Sequence, residues 1–581
     1  MSSVGYMQAY KEWIKNDYFD KTTKKELLEI QDDEREIQDR FYKDLEFGTG
    51  GLRGIIGAGT NRINVYTIQK ATQGLANYIL KSQEEGKQGV AIAYDSRFKS
   101  AEFAEEAALV LNGNGIPTYL FDSLRPTPTL SFALRELGCM AGIVITASHN
   151  PPEYNGYKVY WSDGGQVPPP KDEEIIQEVN QVQDYSQVKV IKKGDAIKAG
   201  YFHIIDSEID DKYLEAVKAQ CLQPEMIKKY GKDLTIVYTP LHGTGNIPVR
   251  QVLKEVGFEN VWVVPEQEMP DSKFSTVAYP NPEDPKAFSL AIALAKEKDA
   301  DIIIGTDPDA DRLGVLVKDG EGEYVLLNGN ITGILLMEYI LSQKKDAGEL
   351  PSNGAVISTV VSTKMSQAIA NDYGITRMEV LTGFKFIGEK IKEFEKKGNY
   401  TFLFGFEESY GYLAGTHARD KDAVVAALLA CELAAYYYSQ GITPYEGIHA
   451  LYEKYGYYKE DLHSITLKGI EGMEQIQAIL EGFRNNPPTN FIGQNIVEIR
   501  DYDAQITYYP KTGVKTPITL PKSNVLYFVL EDESWFCVRP SGTEPKVKFY
   551  FGVLERSERE ADEKLKALCK EVLDKINTMI A

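Results

Sequence analysis

At 581 residues the chain is too long for a single hydrophobic core, and at roughly 150 residues per domain it divides into about four. A net charge of −21, with a pI near 5.0, excludes the basic face of a nucleic-acid-binding protein, so any positive groups that meet an anionic ligand must be gathered locally. Five cysteines (Cys139, Cys221, Cys431, Cys537 and Cys569), with no CxxC pair, indicate reduced thiols and a cytoplasmic chain, not a disulfide or zinc framework.

The N-terminal MSSVGYMQAYKEW has no apolar stretch of the signal-peptide kind. The most apolar run, residues 424–438, is interrupted by Glu432 and is shorter than the roughly 18 residues of a membrane span, so a buried helix is expected there and no membrane partner. In chain order, residues 1–45 show helical spacing of apolar among charged positions. FGTGGLRG (47–54) then sets four glycines around Arg53, a loop in which backbone amides can approach a ligand closely with the arginine turned to an anion. A helix over 68–80, a strand ending in Asp95-Ser96-Arg97, a helix over 101–111 and a strand over 117–121 follow. The β-branched run AGIVI (141–145) stops at Thr146-Ala147-Ser148-His149-Asn150, because Pro151 and Pro152 exclude a continued helix or central strand. Asn155-Gly156 reads as a turn, with Lys158 just beyond it. Hydroxyl, imidazole and amine can therefore converge at one strand end; an inert polar turn is the alternative.

The pattern repeats at 234–245, 261–264, 300–312, 356–359, 378–386 and 401–411, with helical segments between, and Gly115, Gly257 and Gly374 stand where C-terminal helix caps belong. Such alternation predicts an α/β chain of three related blocks with mixed or parallel sheets, carrying their functional loops at strand C-ends. From Leu462 hairpin-like strands and a long amphipathic helix predict an α+β tail domain. The expected division is 1–205, 206–325, 326–457 and 458–581.

Asp307-Pro-Asp-Ala-Asp-Arg312 places three carboxylates at alternate positions after a buried strand, which on an extended loop share one side and can meet one hard cation. The EF-hand alternative fails, since its required glycine and glutamate are Arg312 and Lys318 here; a solvated acidic turn is the other reading. Arg539-Pro-Ser541-Gly542-Thr543 offers an arginine, two hydroxyls and an unshielded amide to a phosphate dianion, or forms a plain hairpin turn. Thr382-Gly383-Phe-Lys385 and Glu407-Glu-Ser409 offer the paired donors and acceptors that suit a sugar, or ordinary caps. Lys421, in HARDK, adds positive charge just before the apolar helix, and the role of His242 in PLHGTG is open between turn and site. The absence of GxxxxGK[ST], of a strand-borne GxGxxG and of GxSxG argues against a P-loop nucleotidase, a dinucleotide fold and a hydrolase elbow.

Taken in order, TGGLRG, TASHNPPEYNGYK, TDPDADR, FEES and RPSGTEPK resemble the α-D-phosphohexomutase family over residues 47–546. The resemblance implies three related α/β domains with a tail domain like the TATA-binding-protein fold. It implies Ser148 as a phosphoserine, Asp307, Asp309 and Asp311 as Mg²⁺ ligands together with the phosphoserine, and Arg53, His149 and Lys158 around the reacting group, with Lys158 or His149 moving the proton. Arg312, Thr382, Gly383, Lys385, Glu407, Ser409 and Lys421 would contact substrate, and Arg539, Ser541, Gly542 and Thr543 would hold the non-reacting phosphate. The implied reaction exchanges glucose 1-phosphate and glucose 6-phosphate through glucose 1,6-bisphosphate; mannose or pentose phosphates, or a Mg²⁺-dependent phosphatase, are the alternatives. The SHNPPEYNGYKVYW form is similar to a branch that contains phosphopentomutases, but that branch often replaces the serine retained here as Ser409, which favours a hexose.

Overall fold

A computed structural model describes residues 3–48, 51–82, 88–467, 469–540 and 546–580. These fall into two compact units: Met1–Gly329 with Phe384–Gly405 and Ser409–Thr443, and Asn330–Gly383 with Phe406–Glu408 and Pro444–Ala581.

The first unit opens with three short helices, Ser3–Lys15, Lys21–Glu29 and Glu34–Phe41. Asp20 and Asp33 start the second and third, each accepting from backbone N–H groups that a helix start leaves unpaired. Their apolar faces close over Tyr6, Tyr10, Trp13, Phe19 and Phe41, joined by Tyr66 from the helix Val65–Lys81. Six strands follow: β1 (Gly51–Ile55), β2 (Val90–Tyr94), β3 (Thr118–Phe121), β4 (Ala141–Ile145), β5 (Tyr154–Trp161) and β6 (Phe202–Ile205), in the sheet order β1-β5-β4-β2-β3-β6. The β4-β2-β3-β6 part is parallel, while β5 runs antiparallel to both β4 and β1. AGIVI and VAIAY are apolar at nearly every position because both faces of a central parallel strand are covered.

A second sheet has β7 (Ile236–Thr239), β8 (Val261–Val263), β9 (Ile302–Thr306), β10 (Leu313–Lys318) and β11 (Tyr324–Leu327) in the order β11-β10-β9-β7-β8. It is mixed as well: β8, β7 and β9 are parallel, and β10 and β11 turn back. The apolar run near 430 is the buried helix Ala423–Gln440, as expected. Its Glu432, fully buried, accepts from the backbone N–H groups of Leu222 and Gln223, where the helix Pro224–Tyr230 begins. That explains a carboxylate in an apolar helix. Gly257 and Gly374 cap their helices in the left-handed conformation, and His242, bonded to Met269 O and Thr276 Oγ1, is a structural turn residue.

In the second unit β12 (Gly354–Thr359) and β13 (Thr376–Val380) pair in parallel. Strands β14 (Thr401–Glu407), all but its last two residues in the first unit, and β15 (Gly411–Ala414), wholly in the first unit, flank the Glu407-Glu408-Ser409 turn. The remaining strands are β16 (Tyr457–Thr466), β17 (Asn490–Phe491), β18 (Gln494–Asp501), β19 (Ile506–Tyr509), β20 (Val514–Pro517), β21 (Leu526–Leu530), β22 (Trp535–Pro540) and β23 (Lys546–Glu555). They form an antiparallel sheet ordered β16-β23-β22-β21-β18-β19-β20, with β17 beside β18. Helices Gly469–Asn485 and Glu558–Ile580 pack on it over a core in which Phe528 and Phe536 stack at 4.5 Å.

Candidate active site

Parallel strands deliver their loops at the C-terminal end, so Asp95 after β2 and Thr146 after β4 meet there. Thr146 Oγ1 donates to Asp95 Oδ2 at 2.7 Å and accepts the Ser148 N–H at 2.8 Å. Ser148 is held at φ +52°, a left-handed conformation that costs a non-glycine residue of order 1 kcal/mol and persists only where its surroundings fix it. Arg97 does the fixing. Its buried guanidinium donates to the carbonyls of Ser148 (2.5 Å), Pro151 (2.8 Å), Tyr154 (3.1 Å) and Asn150. It lies over the Phe274 ring at 4.9 Å, while Asp95 accepts from the Arg97 N–H and the Ser100 hydroxyl.

The Ser148 hydroxyl donates to Asp307 Oδ2 at 2.7 Å and lies 3.2 Å from His149 Nδ1. The aspartates converge through a turn, not through the expected extended alternation. Ala310 is left-handed at φ +50°, its N–H reaches the Asp307 carbonyl, and Asp307 Oδ1 accepts from the N–H groups of Asp311 and Arg312. All three carboxylates are buried, each with an oxygen within 4.8 Å of the others. Lys158 Nζ sits 2.7 Å from Asp309 and 3.1 Å from Asp311, Lys421 Nζ lies 3.2 Å from Asp311, and Thr127 Oγ1 donates to Asp309 at 2.8 Å.

Burial, reinforced by the charges of Asp309 and Asp311, pushes the Asp307 carboxyl well above its ordinary range. Burial acts the same way on Asp311, but Lys158, Lys421 and Arg312 outweigh it and hold that group well below its ordinary range. Burial also lowers Lys158, and the two carboxylates outweigh it, so the amine stays charged. His149 is held neutral, first by burial and then by Arg312 and Arg53. Asp309 Oδ1 and Asp311 Oδ1 are buried and take no hydrogen bond among the described residues. An all-oxygen set with two such oxygens fits a hard divalent cation, whose charge would add to that of Lys158 and Lys421 against the three carboxylates.

Arg53, on β1, donates to Asn150 Oδ1 at 3.1 Å, and Arg312 pairs with Glu283. The predicted turn at Asn155-Gly156 is instead part of β5: buried Asn155 donates to Phe98 O and Ser100 Oγ, and Gly156 stands opposite Arg53 in the β1–β5 register. Lys385 opens the helix Phe384–Lys397 and lies 3.4 Å from buried Asp172; burial pulls its amine below the ordinary lysine value despite that partner. Thr382, Gly383 (φ +115°), buried Glu407 and Arg539, which donates to Tyr550 Oη at 3.5 Å, belong to the second unit, and Ser409 to the first. Ser541, Gly542 and Thr543 lie outside the described residues. Sequence reasoning gave no role to Arg97, Asp95 or Thr127; the one available signal was a charged Asp-Ser-Arg run at a buried strand's C-end.

Three family models, described as phosphoglucomutase/phosphomannomutase alpha/beta/alpha domains I, II and III, match residues 44–186, 211–320 and 328–455. A phosphoglucomutase of Staphylococcus aureus (strain MSSA476) is 37% identical over 540 residues, covering 93% of this chain and 95% of that protein. One from Staphylococcus haemolyticus is 37% identical over 513 residues, covering 88% and 91%. The crystal structure of the Paramecium phosphoprotein pp63/parafusin, a phosphoglucomutase, in its open form superposes with a TM-score of 0.67 at 17% identity, covering 93% of this chain and 95% of that one. A phosphoglucomutase/phosphomannomutase family protein of Burkholderia thailandensis gives 0.64 at 18% identity, covering 92% and 97%. Three α/β/α domains followed by a C-terminal β-rich region are thus the architecture, and the chain belongs to the phosphoglucomutase/phosphomannomutase family.

Proposed function

We propose that this chain is a phosphoglucomutase, an isomerase that exchanges glucose 1-phosphate and glucose 6-phosphate through a phosphoserine at Ser148 and glucose 1,6-bisphosphate. One observation carries the reading most: the Ser148 hydroxyl reaches, at 2.7 Å, a buried carboxylate triad in which two oxygens take no hydrogen bond among the described residues. Such a set suits a serine whose passenger is a phosphoryl group. The relatives' names support the sugar. Asp307, Asp309 and Asp311 would hold Mg²⁺, which when bound neutralises charge on a phosphoryl oxygen.

The residues then divide the work. In the forward half-reaction the Oγ–P bond of phosphorylated Ser148 breaks and a P–O bond forms to a sugar hydroxyl, whose proton must leave. Lys158, charged between two aspartates, and Arg53 balance a group carrying about −1.5 to −2 charges. Neutral His149 is the neighbour in a state to accept a proton. The bisphosphate then presents its other phosphate to Ser148. In this reading Arg539, Ser541, Gly542 and Thr543 hold the phosphate that is not reacting, and Thr382, Gly383, Lys385, Glu407, Ser409, Lys421 and Arg312 hold the sugar. We assign the work to four domains, 1–205, 206–325, 326–457 and 458–581, in the cytoplasm. Five free cysteines support that location, and among the described residues no helix is long and apolar enough to cross a membrane.

Intact mass and product analysis test the proposal together. The expected result is one phosphate on the protein after glucose 1,6-bisphosphate treatment, none on Ser148→Ala, and faster turnover of glucose 1-phosphate than of mannose 1-phosphate or ribose 1-phosphate. Protein that glucose 1,6-bisphosphate cannot phosphorylate would overturn the mechanism; pentose preference would overturn the substrate; phosphate release as fast as isomer formation would make it a phosphatase.

A further inference from the structure

The C-terminal sheet carries a second group of metal-ligating side chains. Asp461 and His463 are two residues apart on β16 and so share one side of it. The helix Glu558–Ile580 crosses that side: Lys459, also on it, pairs with Glu558 at 2.7 Å. Cys569 projects from this helix two turns beyond Asp562, which is itself 3.9 Å from Lys459. Asp461 Oδ2 lies 3.1 Å from His463 Nε2 and 3.9 Å from Cys569 Sγ, and the three donor atoms fall within 4.8 Å of one another. Phe551 meets the His463 ring edge-on, with centroids 5.9 Å apart. The side chains of Asp461 and His463 are 48% and 41% exposed, and Cys569 is buried, so the group opens to solvent on one side.

Metal–donor distances of about 2.0 Å to oxygen and nitrogen and about 2.3 Å to sulfur place tetrahedral donors roughly 3.3 Å (O and N) and roughly 3.5 Å (O and S) apart. The separations of 3.1 Å and 3.9 Å lie just below and just above those values, so a small side-chain movement brings the donors to them. One carboxylate and one thiolate also match the charge of a divalent ion, and a mixed O, N and S set selects a borderline ion, whereas the all-oxygen triad of the first unit selects a hard one. We propose that Asp461, His463 and Cys569 form a binding site for a zinc-class divalent cation, with water in the fourth position. On binding, the Cys569 S–H bond breaks, the proton leaves to solvent, and the sulfur lone pair forms the bond to the ion; Asp461 and the imidazole Nε2 each donate a lone pair. The ion would tie the first strand of the C-terminal sheet to the chain's last helix and stabilise that sheet.

Cobalt(II) titration of the full-length protein tests the site, because a thiolate–cobalt charge-transfer band cannot arise at an all-aspartate site. One equivalent giving the band, with zinc displacing it and raising the melting temperature of the wild type, is the expected result. The band should vanish in Cys569→Ser and His463→Ala and persist in Asp307→Asn and Cys221→Ser. His463→Ala leaves the buried cysteine in place, so its result does not depend on repacking the core. A protein that shows no thiolate band, a band indifferent to His463→Ala, or one lost in Cys221→Ser would overturn the proposal.

Discussion

Ser148 and Asp307, 159 residues apart in sequence, are joined by a 2.7 Å hydrogen bond from hydroxyl to carboxylate. The bond places the end of β4 against the end of β9 and so brings the serine to the aspartate triad. Asp307→Asn keeps the size and a hydrogen-bonding oxygen but removes the charge. The expected result is a folded protein slower by about 100-fold or more, with a raised Mg²⁺ requirement, since charge stabilisation in a dry site is commonly worth that much. Initial rates across a Mg²⁺ series check it, and an unchanged rate would remove Asp307 from the proposed metal site.

Arg97 satisfies four carbonyls of the loop that carries Ser148, and its side chain is fully buried. Arg97→Lys supplies a point charge in place of a planar fork and leaves some of those carbonyls unpaired, at about 1–3 kcal/mol for each such group. We expect a clear drop in melting temperature and at least about a tenfold loss of turnover, with the Ser148 loop losing its pinned conformation. Thermal denaturation and phosphate occupancy of Ser148 measure the two effects. Full occupancy at normal rate would mean that the loop holds its strained φ without the clamp.

The sequence makes Ser148, the triad and their strands legible because each depends on local signals: a β-branched run, then proline, glycine or alternating carboxylates. Arg97 was not legible, since its acceptors are main-chain groups more than 50 residues away and main-chain groups leave no trace in residue types. Lys421 stands as a positive charge just before the apolar helix, and the structure supplies the reason, its 3.2 Å approach to Asp311, while Asp422 caps the helix. Asn155-Gly156 misled for the opposite cause: a turn signal was present, but the glycine is there for strand packing.

Gly156 shows that packing directly. A Cβ at this position would lie 2.5 Å from the Thr146 carbonyl oxygen and 2.8 Å from that of Leu52, both main chain and unable to swing away. Gly156→Ala therefore has to push β5 away from β1 or from the start of the serine loop. We expect roughly 2–3 kcal/mol of destabilisation, the upper part of the range for overpacking. Activity should also fall in the folded fraction, because Gly156 is register-paired with Arg53 and touches the residue that anchors Ser148. Denaturant melts and rates per folded molecule check this; a variant as stable as the parent would show that the strands have slack.

Glu460 gives the molecule a pH dependence remote in sequence from the serine loop. Burial pushes its carboxyl up to about 7 from an ordinary 4.5, although the Thr363 hydroxyl, Lys459 and Lys364 act in the other direction. Below the ordinary carboxylate value both folded and unfolded chains hold the proton, and burial costs nothing. As pH rises from about 4.5 to about 7 the unfolded chain ionises first, so stability falls through that window and the loss is complete once the folded carboxyl has ionised. Glu460→Gln removes the ionisation and keeps the shape. The variant should melt higher than the parent at pH 8 and at nearly the same temperature at pH 4.5, with the difference growing between. A difference independent of pH would mean that the half-buried Glu460 carboxyl is not what titrates.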